Sequence, residues 1–562
     1  MTSLLPGLAV LRSYQRAWLR ADLVAGCTVG AMLIPQSMAY AELAGLAPQY
    51  GFYAVLGALL VYALAGTSRH LGVGPEPGTA ILAASAVSAL AAGDPRRYVT
   101  LMSTLALLVG GICLLGALAR LGFLASMLSK PALVGYITGV GLTLLSSQIA
   151  GFTGAPIASD AFLPRLRDLV AGLDQIDGPT VAVGAATLAL LVAVRRGTPN
   201  LPGALLAVAA ASIVVAALSL DDHGVALVGA IPSGLPHPRV PDLSLHDLRQ
   251  LLPAAAGIAL VGYTDNVLTA RSVAARQGYR IDANQELLAL GLTNLTASAS
   301  QGFPVSSSAS RTAVPAMLGS KTQAVSLVAA TIVVAALVAL GPVLEAIPRA
   351  ALAAVIVSAA VGLIDVQGYR SLWRVARDEA VVAGITALAV VLVGVLSGVL
   401  VAVSLSLLVA MYRVARPHDA VLGSQPSLDG WVELDAHPGA ETEPGLLVYR
   451  FDAPLFFVNA DRFRDRVEAA LADNPGEEEW VVLDFEGIGA LDATAMEALA
   501  DLADRLASLE VAVIAVARAN EAVAQRLRRA DLLEPQGPVR SFPTINSAVR
   551  AYRERHDLGD RP

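Results

Sequence analysis

Long apolar segments follow one another through most of the chain, and this pattern restricts the fold more than any other feature. A helix needs about 20 apolar residues to cross the roughly 30 Å hydrocarbon core of a membrane. The clear segments are 22–41, 50–66, 98–119, 131–150, 180–195, 201–220, 252–270, 322–341, 347–364, 379–396 and 397–413, and the weaker ones are 76–92, 286–300 and 306–318. We therefore predict an α-helical membrane domain over residues 21–414 with about fourteen spans.

Composition supports this prediction and argues against an enzyme. Hydrophobic residues make up 55% of the chain and charged residues 15%, with a mean hydropathy of +0.62. Such a chain is too apolar for a water-soluble surface. The sequence has no nucleotide-binding Gly-rich loop and no metal-ligand motif, and its two cysteines, Cys27 and Cys113, lie in apolar segments. We expect no cofactor apart from a bound Na⁺, and no nucleic-acid partner.

Basic residues indicate which loops face the cytoplasm, because Lys and Arg are enriched on that side of a membrane. If residues 1–20 are cytoplasmic, the even-numbered loops are basic, whereas the odd-numbered loops are uncharged, mixed or acidic. The basic positions are Arg69, Arg120, Lys130, Arg195, Arg196, Arg271, Arg276, Arg280, Lys321, Arg370, Arg374 and Arg377. Both termini are therefore predicted to be cytoplasmic.

Two of the weak segments begin alike. GVGPEPGTAILAA starts at Gly72 and QGFPVSSSASRTA starts at Gln301. Pro75 lies 39 residues after Gln36, and Pro304 lies 39 residues after Asp265. An odd number of spans separates the two copies, so the second copy is inverted in the membrane. Paired short segments interrupted by Gly and Pro are typical of a transport site at the membrane midplane. The alternative is that Gly and Pro are simply common in membrane helices.

Asp265 is an ionisable residue inside an apolar segment, where charge is costly and usually functional. Thr269 follows it by one helical turn, so the two side chains share a face. The pair would ligate Na⁺, or the carboxylate alone would carry a proton. The alternative is a structural ion pair between Asp265 and Arg311, which does not exclude coupling.

The second short segment is rich in hydrogen-bond donors at its predicted helix start. Free backbone N–H groups and the helix dipole favour an anion there, and hydroxyls and a guanidinium add donors. The alternative is packing of small residues between helices. Facing residues of the first segment and of the first span complete the predicted substrate site, which comprises Gln36, Tyr40, Glu76, Thr79, Ser307, Ser308, Ser310 and Arg311.

The tail differs from the apolar body in charge and in pattern. Between residues 440 and 562 there are 23 Asp and Glu but 14 Arg. Short β-type runs such as LLVYRF, WVVLDF and VAVIAVA alternate with amphipathic helical stretches, which is typical of an α/β domain. We predict a small cytoplasmic α/β domain at 445–557 and a linker at 415–444.

IPQSMAYA at 34–41, the GPEP segment, GFPVSSSASRTA at 302–313 and the α/β tail together resemble the SulP sulfate permeases, the group that includes the mammalian pendrin and prestin proteins. The resemblance covers roughly residues 10–556 and is closest to the actinobacterial members. It implies fourteen spans as seven-plus-seven inverted repeats, with core and gate domains and an elevator-like motion. It also implies a homodimer and a C-terminal STAS domain.

Some residue roles follow from this resemblance alone. Gln36, Tyr40, Ser310 and Arg311 match positions that line the family's anion pocket. Asp265 matches the acidic residue of span 8 that couples transport to a cation, although many members have Glu there. Together, Asp265, Thr269 and Ser306 resemble the sodium-binding arrangement of the cyanobacterial bicarbonate members.

In the tail, LDATAME resembles the Asp-Ser-Ser phosphorylation motif of soluble STAS proteins. Thr494 takes the phosphorylatable position. Asp492 is interpreted as the cap of the following helix, and phosphoregulation at Thr494 is the alternative.

The resulting prediction is a secondary active transporter of a small inorganic anion in a bacterial inner membrane. Sulfate is placed ahead of bicarbonate, dicarboxylates stay open, and coupling is to H⁺ or Na⁺. One rival is a passive anion channel or exchanger, which Asp265 disfavours. The other rival is a membrane-tethered signalling protein whose output is the STAS domain.

Overall fold

The computed structural model describes residues 5–126, 129–157, 159, 161–198, 201–229, 234–242, 244–425, 427–428, 430–473, 479–533 and 539–556. The chain forms two compact units, Met1–Ser406 and Leu407–Pro562. Each unit is described by itself below.

The first unit is helical apart from one pair of very short strands. Its helices are α1 (Pro6–Arg12), α2 (Leu19–Leu43), α3 (Gln49–Ala65), α4 (Pro77–Ala91), α5 (Pro95–Leu118), α6 (Lys130–Ser147), α7 (Ile149–Thr153), α8 (Phe162–Ala171), α9 (Gly178–Gly197), α10 (Gly203–Ala217), α11 (Leu245–Gln277), α12 (Ala283–Ala299), α13 (Ala309–Met317), α14 (Ala324–Ala339), α15 (Gly341–Glu345), α16 (Arg349–Leu363), α17 (Val366–Val375), α18 (Arg377–Val393) and α19 (Val395–Ala415), the last of which continues into the second unit.

Each of the fourteen apolar segments coincides with a helix, namely α2 to α6, α9 to α14, α16, α18 and α19. Within the described part of the chain, six helical stretches are long and apolar enough to cross a membrane, and four other apolar helices are shorter. Two of the weak segments form the short helices α4 and α13. Their apolar segments are weak in the sequence because the helices themselves are short.

Small residues allow the helices to approach closely, as is usual in membranes. At Gly51 of α3, a Cβ atom would stand 1.9 Å from the carbonyl oxygen of Ser37 in α2. No other residue fits such a contact without moving one of the two helices. Close packing of this kind holds α3 directly against the helix that carries Gln36 and Tyr40.

The two short strands join the repeated segments to each other. β1 (Val73–Gly74) pairs antiparallel with β2 (Ser306–Ser307). The amide of Ser308 extends this pairing with a 3.0 Å bond to the carbonyl of Gly72. A Cβ atom at Gly72 would lie 2.9 Å from the Cβ of Arg311, so the glycine is required for the approach. α4 and α13 begin directly after these strands, and their N-termini are thereby brought together.

The second unit is an α/β domain around a six-stranded sheet with the order β4-β3-β5-β6-β7-β8. β5 to β8 run parallel, and β3 and β4 are antiparallel additions. Hydrophobic side chains pack on both faces of the sheet. The elements are β3 (Asp419–Ser424), β4 (Trp431–Glu433), β5 (Leu446–Phe451), α20 (Ala460–Ala472), β6 (Trp480–Asp484), α21 (Ala493–Ser508), β7 (Val513–Ala517), α22 (Glu521–Arg529), β8 (Val539–Phe542) and α23 (Ile545–Arg555).

The structure differs from the sequence prediction at residues 415–444. This stretch was predicted as a linker, but it contains β3 and β4, and β3 pairs with β5 from Asp419 to Val421. The strands are short and carry charged residues, so they lack the continuous apolar pattern of the buried parallel strands. The α/β domain therefore begins before residue 445. Its predicted last residue, 557, lies outside the described residues.

Candidate functional site

A cavity of about 580 Å³ lies among the helices of the first unit. Its walls come from α2, α4, α6, α9, α10, α11, α13 and α16, together with β2. Of the described residues predicted for the site, Thr269 and Arg311 do not line it. The predicted residues that do line it are Gln36, Tyr40, Glu76, Thr79, Asp265, Ser306, Ser307, Ser308 and Ser310. The structure thus gathers both repeated segments around one space.

The N-terminus of α4 is already occupied by a carboxylate of the protein. Glu76 is the N-cap residue, and its Oε2 accepts a 2.9 Å hydrogen bond from the amide of Thr79. The Thr79 hydroxyl donates to the carbonyl of Glu76 at 3.0 Å. A negative charge at a helix N-terminus takes the place of an external anion, so this end has less to offer an anion than an uncapped helix start.

The N-terminus of α13 carries no such charge. Its N-cap residue is Ser308, and no side chain of the described residues caps the helix. The Ser308 and Ser310 hydroxyls lie 3.1 Å apart, and both residues line the cavity. The first N–H groups of a helix have no partner within the helix. This end therefore offers backbone N–H groups and hydroxyls to an anion.

Arg311 lies in the first turn of α13 but is not among the residues that line the cavity. Its side chain is 1% exposed, and Nη1 donates a long 3.5 Å hydrogen bond to Oε1 of Gln36. Within the described residues, its Nε and Nη2 have no hydrogen-bond partner. Gln36 itself lines the cavity. Arg311 thus stands behind Gln36 and acts on the cavity through its charge.

Asp265 on α11 reaches the cavity and is held by a serine. The Ser307 hydroxyl donates a 2.9 Å hydrogen bond to its Oδ2. Ser306, predicted to face Asp265, lines the cavity without making this bond. In the described part of the chain, Asp265 and Arg311 form no ion pair, and Thr269 stands outside the cavity wall. The contacts around Asp265 therefore differ from the predicted set of Thr269 and Ser306.

Sequence reasoning missed a second carboxylate, Glu286 on α12, which is 0% exposed. Its oxygens accept hydrogen bonds from the Tyr62 hydroxyl at 2.7 Å, the Thr67 hydroxyl at 2.5 Å and amide at 2.8 Å, the Ser68 amide at 3.2 Å and the Asn266 amide side chain at 3.3 Å. Because Tyr62 belongs to α3 and Asn266 to α11, these hydrogen bonds give Glu286 a structural role: they connect both helices to α12. The signal was available, since an acidic residue in an apolar segment is rare.

Tyr136 and Arg195 also line the cavity, and the sequence did not indicate either of them as a site residue. Tyr136 comes from α6 and Arg195 from the C-terminal end of α9. In the sequence, Tyr136 is one aromatic residue in an apolar segment, and Arg195 was interpreted as a basic residue of a cytoplasmic loop. Neither has a motif around it, so only the packing of the helices reveals its position.

In the second unit, Asp492 is the N-cap of α21. Its Oδ1 accepts from the Ala495 amide at 2.8 Å, and its Oδ2 accepts from the Phe457 amide at 2.9 Å. Thr494 is exposed in the first turn of the same helix. Asp492 thus joins the helix start to the loop after β5.

Comparison with known proteins agrees with both units. The model of the sulfate permease family matches residues 19–386, and the model of the STAS domain matches residues 437–548. A probable sulfate transporter of Mycobacterium tuberculosis is 47% identical over 550 residues, covering 98% of each chain. The chloroplastic sulfate transporter 4.1 of Arabidopsis thaliana is 32% identical over 586 residues, covering 100% of this chain and 84% of that one.

Solved structures share the architecture. The murine Slc26a9 anion transporter in its inward-facing state has a TM-score of 0.90 at 24% identity, covering 98% of this chain and 94% of that one. The transmembrane domain of the cyanobacterial bicarbonate transporter BicA has a TM-score of 0.63 at 21% identity, covering 69% of this chain and 98% of that one. The chain is therefore a multi-pass membrane protein that belongs to the sulfate permease family, and its C-terminal unit is a STAS domain.

Proposed function

We propose that this protein is a secondary active transporter that moves a small inorganic anion, sulfate first, together with H⁺ or Na⁺. The observation that carries the proposal is the uncapped N-terminus of α13, with Ser308 and Ser310, in the same cavity as Asp265. A helix N-terminus with free hydroxyls binds anions without needing a cofactor. The relatives named as sulfate transporters support sulfate as the substrate.

Bicarbonate is the second candidate. The likeness to the BicA transmembrane domain supports a shared fold, and the Asp265–Thr269 spacing resembles a sodium site. Both anions are small oxyanions that accept several hydrogen bonds, so the N-terminus of α13 alone does not distinguish sulfate from bicarbonate. The cation that is transported with the anion would distinguish the two functions.

Charge in the cavity supports coupling rather than passive flow. Glu76 and Asp265 both line it. The positive charges that the described residues bring to it are Arg195 on its wall and Arg311 behind Gln36. These two arginines at most balance the two carboxylates, so the charge of an entering anion is added to a site removed from bulk water. Such charges need compensation by a proton or a cation. Binding of a cation together with the anion is therefore favourable, whereas a channel for anions gains nothing from Asp265.

The access direction follows from the ends of three helices. Arg195, Met317 and Leu363 line the cavity at the C-terminal ends of α9, α13 and α16. Each of these ends leads into a loop with an even number in the predicted topology. The cavity would then open to the cytoplasm, and an elevator-like movement of the half that carries α4 and α13 would open it to the other side.

The proposal also covers the assembly, the membrane location and the role of the STAS domain. The protein would act as a homodimer of multi-pass subunits in the plasma membrane of a bacterium, with both termini in the cytoplasm. The STAS domain would regulate transport; Asp492 caps α21, and phosphorylation of the exposed Thr494 stays the alternative role for this motif. We propose no bound cofactor apart from Na⁺, with Asp265 as its central ligand.

Uptake of labelled sulfate and bicarbonate into proteoliposomes, with and without pH and Na⁺ gradients, tests the proposal. We expect uphill uptake that depends on one gradient. Asp265→Asn should keep anion exchange and lose uphill uptake, because the charge that needs a cation is gone. If Na⁺ binds between Asp265 and Thr269 as the sequence predicts, Thr269→Val should impair Na⁺-driven uptake and spare proton-driven uptake, whereas the position of Thr269 outside the cavity wall predicts no effect on either.

Asp22→Asn is a matched control. Asp22 is also a buried carboxylate, and it accepts from the Lys321 amide at 2.8 Å and the Thr322 hydroxyl at 2.6 Å, but it does not line the cavity. This variant should lose stability and keep coupling. Uphill uptake by Asp265→Asn equal to wild type would place coupling elsewhere. Uptake that ignores all gradients would indicate a channel or exchanger, and no uptake of any anion would favour the signalling function.

A further inference from the structure

The hydroxyl of Tyr136 on α6 is a buried polar group with nothing to bind. The residue is 3% exposed and lines the cavity, and within the described residues its hydroxyl has no hydrogen-bond partner. Buried hydroxyls in proteins are nearly always paired, and an unpaired one destabilises the fold. A phenylalanine would fill the same space without this cost. The hydroxyl therefore calls for a partner in another state of the protein.

Three other tyrosines of the membrane unit, of which Tyr62 and Tyr263 are buried, have paired hydroxyls. The Tyr62 hydroxyl donates to Glu286 at 2.7 Å, and the Tyr98 hydroxyl donates to the carbonyl of Ala44 at 2.7 Å. The Tyr263 hydroxyl lies 2.7 Å from the carbonyl of Gly122 and 2.8 Å from that of Ala283. Tyr136 differs from these three residues in two respects together: it lines the cavity and it lacks a partner.

The surroundings of Tyr136 indicate what the partner is. Glu76 and Asp265 line the same cavity, but the phenol forms no hydrogen bond to either carboxylate. α6 packs against α4, so the hydroxyl belongs to a cavity wall formed by a helix other than α13. A hydroxyl can donate one proton to an acceptor. An oxyanion bound at the N-terminus of α13 would be an acceptor within the same cavity.

We propose that Tyr136 is a ligand of the transported oxyanion, donating its hydroxyl when the walls of the cavity close around the substrate. This inference rests on the proposed function, and it adds a ligand from a helix outside both repeated segments. The hydroxyl is shielded from cavity water in the present state, so the contact forms only when α6 and α13 approach each other. Tyr136 would thus bind the anion only in the enclosed state.

Tyr136→Phe and Tyr263→Phe make a matched pair, because each removes a single phenol oxygen from a buried tyrosine. Thermal unfolding of the purified full-length protein is followed while sodium sulfate is added, with sodium chloride at equal ionic strength as the reference. For Tyr136→Phe we expect unchanged or higher stability without sulfate and a sulfate affinity that falls about tenfold or more, as for a lost hydrogen bond to a charged group. For Tyr263→Phe we expect lower stability and unchanged sulfate affinity.

The outcomes separate this inference from the proposed function. If neither sulfate nor bicarbonate stabilises the wild type, the proposed function fails. If sulfate stabilises the wild type and Tyr136→Phe equally, the function stands and Tyr136 is not a ligand. Lower stability of Tyr136→Phe with unchanged sulfate affinity would assign the hydroxyl a structural role and likewise overturn the inference.

Discussion

The starts of α4 and α13 occupy equivalent places in the two repeated segments, and their chemistry is opposite. Each helix follows one strand of the β1–β2 pair. α4 is capped by the carboxylate of Glu76, which accepts from Thr79. α13 begins with Ser308, which leaves its N–H groups without a side-chain cap, and Arg311 is buried behind it. Similar backbones therefore give one helix start with a capping carboxylate and one whose N–H groups are left to another acceptor.

This difference shows that a repeated fold does not imply a symmetric site. From the sequence, both helix starts were expected to share the anion. The structure shows a capping carboxylate at the start of α4 and no side-chain cap from the described residues at the start of α13, so we propose that the anion binds at α13. Under this proposal the cavity has an anion end at α13 and a cation end at α4 and Asp265, and variants can exchange the charge of the two helix starts.

Making α13 resemble α4 has the largest expected effect. Ser308→Asp puts a carboxylate at the N-cap, where Asp is favourable for the helix, so the protein should remain folded. Two like charges about 4 Å apart repel by about 4 kcal/mol near a protein surface. Sulfate affinity should therefore fall more than hundredfold in a thermal-shift titration. Ser308→Asn caps the helix without the charge and should bind far better than Ser308→Asp; equal binding by the two variants would argue against an anion at this end.

Removing the charge behind α13 should have the next largest effect. Arg311→Met keeps most of the volume, and we expect sulfate affinity to fall about tenfold to hundredfold because a favourable charge is lost. Arg311→Lys should recover part of it, since Lys keeps the charge but not the planar guanidinium. Isothermal titration of both variants with sulfate measures this. Wild-type affinity in Arg311→Met would separate Arg311 from the site.

Making α4 resemble α13 tests the other half of the comparison. Glu76→Gln removes the negative charge from the N-cap, so sulfate affinity should rise several-fold. Stability should fall by about 1 kcal/mol because a good cap is lost. Denaturation and sulfate binding of the same purified sample give both values. Weaker sulfate binding would mean that Glu76 helps to hold the anion.

The smallest effect concerns the entrance, which lies away from both helix starts. Arg195 lines the cavity, and the neighbouring Arg196 does not. A basic residue at a mouth raises the arrival rate of anions, and salt screens this effect. Arg195→Ala should slow initial sulfate uptake a few-fold at low ionic strength and little at high ionic strength. Arg196→Ala serves as the control. Equal slowing of uptake in both variants would show that the effect comes from the overall surface charge and not from the position of Arg195 in the cavity.

Much of the membrane unit could be predicted, because length and apolar composition decide which segments form membrane helices. The two broken segments were also visible, since Gly and Pro mark where helices stop and start. The predicted linker was wrong in its content because β3 and β4 are short and partly charged, and their pairing with β5 depends on distant residues.

Side-chain direction is what the sequence could not provide. Ser306 and Ser307 are adjacent in β2, where neighbouring side chains point to opposite sides, so the partner of Asp265 depends on a register that only the β1–β2 pairing sets. Arg311 was placed in the pocket, but its long side chain turns toward Gln36. Tyr136 could not be found because its position depends on how α6 packs.

The pairing of Val73 with Ser307 and of Gly74 with Ser306 also has a mechanical meaning. Backbone hydrogen bonds between the strands hold the starts of α4 and α13 at one separation. While these bonds persist, the two helix starts cannot spread to admit a larger ion, and in the proposed elevator-like movement they would move together. The size limit for the cargo would then be the same on loading and on release, and the moving outer walls would decide only when exchange with solvent occurs.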